Sequence, residues 1–152
     1  MPLIRIETVI RAPIEYCFDL MRDVAFHVRS TKATGERVVA GKNSGLLSVG
    51  DEVTFEARHL GFRQRLTVRV TICERPHLFE DVMVRGAFSS MRHVHRFFES
   101  KGATRMVDEF SYVAPWGALG RAADFLFLES YLRRFLTARA EALKSAAEDT
   151  AT

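Results

Sequence analysis

The chain has 152 residues, of which 47% are hydrophobic and 27% charged, the size and balance of one ordinary globular domain with a substantial core. Its 22 basic and 19 acidic residues leave a formal net charge of +3, with the arginines spread along the chain, which argues against a nucleic-acid footprint. The run Phe125–Leu128 is far too short to span a bilayer, so no membrane insertion is expected.

Arg5, Glu7 and Arg11 interrupt the N-terminus before any apolar run develops, so no signal peptide is expected. Cys17 and Cys73 stand alone, outside CxxC spacing, and read as free thiols of a cytoplasmic protein. Alternation of Ile4, Ile6, Thr8 and Ile10 with Leu3, Arg5 and Glu7 predicts a first strand. Pro13 then opens a short amphipathic helix carrying Ile14, Cys17, Phe18 and Met21, and Asp23 is placed to cap a second.

From Thr34 the pattern turns to strands. GERVVAG is a candidate second strand and GKNSG a loop at a cavity mouth. Five further segments, DEVTFEARHL, FRQRLTVRVTI, LFEDVMVRG, SMRHVHRFFE and ATRMVDEFSYV, read as an antiparallel meander. After APWGALG a helical period runs to about Ser145, with Phe125, Leu128, Leu132, Phe135, Leu136 and Leu143 as its apolar stripe. Trp116 reads as an anchor packing the start of that helix. No linker or repeat divides the chain, so residues 1–146 form one α+β domain and 147–152 a frayed tail. A helix of about 28 residues is roughly 42 Å long, against about 27 Å for an eight-residue strand. It must lie across a whole sheet, and the gap between a curved sheet and such a helix suits a ligand.

Hairpin turns give a register. A Leu60–Gly61 turn pairs His59 with Phe62, Ala57 with Gln64 and Phe55 with Leu66, and on the other face Glu56 with Arg65 and Glu52 with Arg69. Paired charges of this kind account for much of the arginine. A turn at Arg75–Pro76 pairs Ile72 with Phe79, Val70 with Asp81 and Val68 with Met83. A turn at Lys101–Gly102 pairs Phe97 with Met106, His95 with Asp108 and His93 with Phe110. With Arg85 and Met91 flanking the GAFSS turn, Met83 falls beside His93 and Asp81 beside His95.

In MRHVHRFF, Met91, His93, His95 and Phe97 share one face. The inner face thus carries a row of Asp81, His95 and Asp108, with His93 in apolar company. A neighbouring carboxylate raises an imidazole's pKa and burial lowers it.

The segments VIRAPIEYCFDLMRD, GDEVTFEARHLGFRQRLTVRVTICERPHLFEDVMVRGAFSSMRHVHRF and WGALGRAADFLFLESYLRRFL resemble the START-related SRPBCC superfamily, in particular its bacterial polyketide cyclase/dehydrase-like members. The resemblance covers nearly the whole chain. It implies a helix-grip fold, in which a curved seven-stranded antiparallel sheet wraps a long C-terminal helix and two short helices follow the first strand. It also implies a cavity for hydrophobic molecules such as lipids, polyketides or quinones.

Three functional readings follow. A binding module would line its cavity with Phe55, His59, Gln64, Asp81, Met83, His93, His95, Asp108, Phe110, Tyr112, Phe125, Leu128 and Leu132. A polyketide cyclase or dehydratase would use His95 or His93 as general acid–base, tuned by Asp108 and Asp81, with an inward Arg85 holding a carbonyl or enolate oxygen. A metal site would use the HxH pair with His59 or Asp108, but no third ligand has a specific spacing, so neither metal nor cofactor is assigned. The expected partner is a small hydrophobic molecule, not nucleic acid. Nothing in the sequence sets an oligomeric state. His27 and His77 read as surface residues.

Overall fold

The structure, a computed structural model, describes residues 2–151. Strand β1 (Leu3–Ile10) leads through α1 (Ile14–Met21) and α2 (Val24–Ser30) to six strands. These are β2 (Arg37–Gly41), β3 (Glu52–His59), β4 (Phe62–Glu74), β5 (Leu78–Arg85), β6 (Ser90–Ser100) and β7 (Ala103–Val113). Helix α3 (Gly117–Ala123) runs through a π-helical turn (Asp124–Leu128) into α4 (Glu129–Ala151). The seven strands form one antiparallel sheet in the order β1-β7-β6-β5-β4-β3-β2. The meander and the long terminal helix are those expected, and β1 joins the sheet beside β7.

Local chemistry explains the framework. Asp23 caps α2, accepting from the backbone N–H of Ala25 at 2.9 Å. Leu60 and Gly61 have φ of 52° and 81°, the two positive angles of the tight turn that matches strand twist. That turn fixes the β3–β4 register as expected, from His59 opposite Phe62 to Glu52 opposite Arg69. The β6–β7 pairs also match, with His95 opposite Asp108 and His93 opposite Phe110. On the outer face Arg65 donates to Glu56 at 2.8 Å, Arg92 to Glu80 at 2.7 Å and Arg96 to Glu109 at 2.9 Å.

Three expectations differ. Strand β5 pairs with β6 two residues out of the expected register, so Asp81 lies opposite His93 and Phe79 opposite His95. The longer turn at Gly86–Ser89 left that register loose, and a slip of two keeps every side chain on its face. A bulge between Val70 and Ile72 sets Cys73, not Ile72, opposite Phe79, while Val70–Asp81 and Val68–Met83 stand. At the C-terminus, helix α4 runs on to Ala151 with Ala147 fully buried, where a frayed tail was expected.

The core lies between the concave sheet face, α1 and α4. Phe18 packs edge-on to Phe97 and Phe79, with ring centroids 5.4 and 6.2 Å apart. Ile4, Ile10, Met106 and Leu143 close the same end, and the packing is solid there. Toward the other end it opens.

Candidate functional site: a cavity with one polar end

Between the sheet and the terminal helix lies a cavity of about 360 Å³, within the range that takes a small organic molecule. Of the residues expected to line it, Phe55, His59, Gln64, Asp81, His93, His95, Phe110, Leu128 and Leu132 do so. Leu66, Val68, Phe79, Phe88 and Phe135 add to an apolar wall. Asp108 stands behind His95, on an inner compartment of about 30 Å³ that it shares with His27, His93 and Arg139. That space suits a single water or ligand oxygen.

Four expected residues are elsewhere. Tyr112 is fully buried and its hydroxyl donates to Asp124, tying β7 to the start of the long helix. Phe125 is 88% exposed, because the π-helical turn hands the inward position to Asp124 and shifts the apolar stripe. Arg85 ends in solvent, just past a one-residue shift of the β4–β5 ladder at Thr67/Val68. Met83 packs against the β5–β6 turn, where a Cβ on Gly86 would come within 2.7 Å of its sulfur. Trp116 does not anchor the helix, being 80% exposed at the cavity mouth. The helix start is set instead by Gly120, whose missing Cβ would fall 1.6 Å from the Pro115 carbonyl oxygen. The GKNSG loop is held down: Lys42 donates to the Leu46 carbonyl at 2.8 Å, and Gly45 accepts from Val24 N–H at 3.1 Å.

The polar end has two linked groups. In the first, His95 Nδ1 is hydrogen-bonded to Asp108, which directs the other ring nitrogen away from the carboxylate. His93 Nε2 lies 3.6 Å from the same Asp108 oxygen, beyond hydrogen-bond length. Burial alone would raise the Asp108 carboxyl, but electrostatic and hydrogen-bonding contacts from the His95 and His93 imidazoles hold it well below the usual carboxylate range. Burial, with the charge of His95, pushes His93 down to about 3, so it is a neutral imidazole at physiological pH. Asp81 has no hydrogen-bond or ion-pair partner among the described residues, and burial pushes its carboxyl up to about 6.

The second group was not foreseen. Arg139 on α4 donates to His27 Nδ1 at 2.8 Å, and His27 Nε2 meets Glu36 Oε1 at 2.7 Å. Because the guanidinium can only donate, Nδ1 must accept, so His27 is the neutral tautomer that donates through Nε2. Burial, with the Arg139 charge, lowers its pKa accordingly. The ring stacks on Phe55 with centroids 4.3 Å apart. His27 is therefore a cavity residue, not a surface one. The sequence held a signal for Arg139, which takes an inward position in the spacing Leu132, Leu136, Arg139, Leu143. Midway along the cavity, His59 Nδ1 is 2.7 Å from the hydroxyl of Tyr131, a further lining residue.

Two buried side-chain polar atoms among the described residues lack a hydrogen-bond partner, His93 Nε2 and Arg139 Nε. Both belong to this end. Buried groups of this kind are rare because they forgo their hydration without return. Asp81, His93 and His95 also bring one donor atom each within 4.8 Å of one another. Asp81, rather than His59 or Asp108, completes that set because of the β5 register. Such donors can chelate a cation or bond the oxygens of an organic molecule. The apolar cavity in front of them fits the organic molecule, since a bare ion needs no such space.

Known proteins share this architecture. An aromatase/cyclase from Streptomyces sp. R1128 superposes with a TM-score of 0.79 at 16% identity, covering 97% of this chain and 93% of that one. A START superfamily protein from Mycobacterium smegmatis gives 0.72 at 14% identity, covering 97% and 98%. The major latex-like protein 151 of Panax ginseng gives 0.71 at 12% identity, covering 96% and 97%. No known family's sequence profile matches the chain, and no curated protein matches it in sequence. At these identities the likeness concerns the fold, and the chain has the helix-grip fold of the START-related SRPBCC proteins.

Proposed function

We propose that the protein binds a small, mostly apolar molecule bearing one or two oxygen functions, such as a polyketide-, quinone- or lipid-like compound. The observation that carries this is a 360 Å³ cavity with apolar walls and one end of under-partnered polar groups. The walls hold the ligand by burial, worth about 25 cal/mol per Å² of apolar surface. His93 and Arg139 orient it, since a ligand oxygen gives their unpartnered nitrogens what the protein does not, with the Asp81 carboxyl lining the cavity beside them. The fold's occurrence in a START superfamily protein and in an aromatase/cyclase supports the reading.

Native mass spectrometry of freshly purified protein, followed by organic extraction, is the direct test, with the dye 1-anilinonaphthalene-8-sulfonate as reporter. A co-purifying compound, or saturable dye binding that Leu128→Trp abolishes by filling the cavity, is the expected result. Neither adduct nor dye binding sensitive to that substitution would remove the proposal.

The His95–Asp108 pair favours a second reading, a cyclase or dehydratase. A carboxylate-oriented imidazole that lines the cavity is a competent general base, and Asp81, at about 6, is a proton donor close to neutral pH. An extracted compound that returns unchanged after incubation identifies a carrier. One that returns cyclised or dehydrated with wild type, but unchanged with folded His95→Asn, identifies a catalyst.

A further inference from the structure

The cavity mouth is framed by three segments, 57–66 at the β3–β4 hairpin, 85–92 at the β5–β6 turn and 113–123 leading into α3. Leu60, Ala87, Phe88, Trp116 and Phe127 line the opening itself. Large apolar side chains stand out of this rim into solvent. Phe62 is 71% exposed on one side, and Trp116, Leu119, Phe125 and Leu126 are 72% exposed or more on the other. Elsewhere exposed apolar residues such as Leu3, Val49 and Phe98 are scattered along separate strands and loops, as on any soluble surface. Along the turn from Trp116 to Phe127 no charged side chain but Arg121 and the buried Asp124 interrupts the apolar face. The π-helical turn is what brings Phe125 and Leu126 outward together.

The charge at this end has one sign. The three rim segments, with the last followed on to Phe127, contain six arginines, Arg58, Arg63, Arg65, Arg85, Arg92 and Arg121, and no aspartate or glutamate but the buried Asp124. Arg65 and Arg92 are engaged by Glu56 and Glu80 of the outer face. Arg58, Arg85 and Arg121 make no ion pair or side-chain hydrogen bond with any described residue. An aromatic and leucine collar edged by unpaired arginines is the composition that seats at a lipid interface, rings at headgroup depth and guanidinium groups among anionic phosphates.

We propose that the rim of the cavity is a docking surface for an anionic bilayer, on which the protein lies without spanning. No helix among the described residues is long and apolar enough to cross a membrane. Self-association through the same face is disfavoured by its charge. A two-fold contact sets a patch against its own copy, here arginine against arginine, whereas phosphatidylglycerol or phosphatidylserine supplies the complement. Docking in this orientation turns the cavity mouth toward the acyl region, so an apolar ligand could pass without crossing water. The docking itself needs no ligand and stands apart from the binding reading.

Trp116 is the chain's single tryptophan and reports directly. Full-length protein is mixed with phosphatidylcholine vesicles, with or without about one-third phosphatidylglycerol, and followed by co-sedimentation and Trp emission. Binding with a blue shift on the anionic vesicles, weaker by on the order of tenfold on phosphatidylcholine alone and weakened by salt, is expected. The double substitution Phe125→Ser with Leu126→Ser should lower binding by on the order of tenfold without lowering the thermal midpoint, because both side chains are already in water. Absence of binding to anionic vesicles, or binding unaltered by the double substitution, overturns the proposal. So does sedimentation equilibrium showing a dimer that the double substitution dissociates, which would assign the collar to a second copy of the chain.

Discussion

The two faces of the sheet carry charge in opposite ways. On the convex face carboxylates sit beside arginines in cross-strand pairs such as Glu52–Arg69, which are half in water. On the concave face Asp81, His93 and Arg139 are packed among apolar side chains, and two of their nitrogens have no partner. The outer charges gain little because water already solvates them. The inner ones forgo solvation, and folding alone gives no reason to keep them. A protein selected for stability alone would fill that end with leucine, which is why the proposed binding is centred on this cluster.

The largest break in this comparison is expected at Asp108. Replacing it by alanine leaves His95 and His93 buried without their carboxylate, and should cost about 3 kcal/mol in urea unfolding at pH 7. Its folded-state carboxyl is depressed, so the stabilisation is present above the unfolded pKa of about 4 and is lost as pH falls through the lower folded value.

Asp81 has the opposite sign. Its folded pKa is raised to about 6, so the native state holds a proton that the unfolded state has released. Stability therefore declines as pH rises between about 4 and 6 and is flat above. Asp81→Asn should stabilise the protein by about 2 kcal/mol at pH 8 and by nothing at pH 4, while weakening whatever ligand or turnover is found. Equal stability of the two proteins at pH 8 would show that Asp81 is solvated after all.

The smallest effect is expected on the convex face. Arg69→Gln should change stability by no more than about 0.5 kcal/mol, and less in high salt, measured by the same unfolding curves. A loss comparable to that of Asp108→Ala would erase the distinction between the two faces.

Much of this was legible in advance because strand alternation and two-residue turns are local. The β3–β4 and β6–β7 registers followed from Leu60–Gly61 and Lys101–Gly102, and with them the His95–Asp108 pair. The longer Gly86–Ser89 turn did not fix its register, so Asp81 was set beside the wrong histidine although on the right face. Phe125 and Tyr112 were misread because an apolar period cannot show an inserted helical residue, which here turns Asp124 inward onto Tyr112.

Sequence alone thus determined the element order, the curved meander with its long helix, and which strand faces look inward, since each depends on short-range periodicity and turn chemistry. Only the tertiary structure decided the composition of the polar end. Arg139, His27 and Glu36 come from α4, α2 and the chain before β2, and no local pattern encodes a contact among segments that distant. The same holds for the collar at the mouth: Phe62 and the Trp116–Phe127 stretch are far apart in the chain, and their exposure arises only from how the helix seats on the sheet.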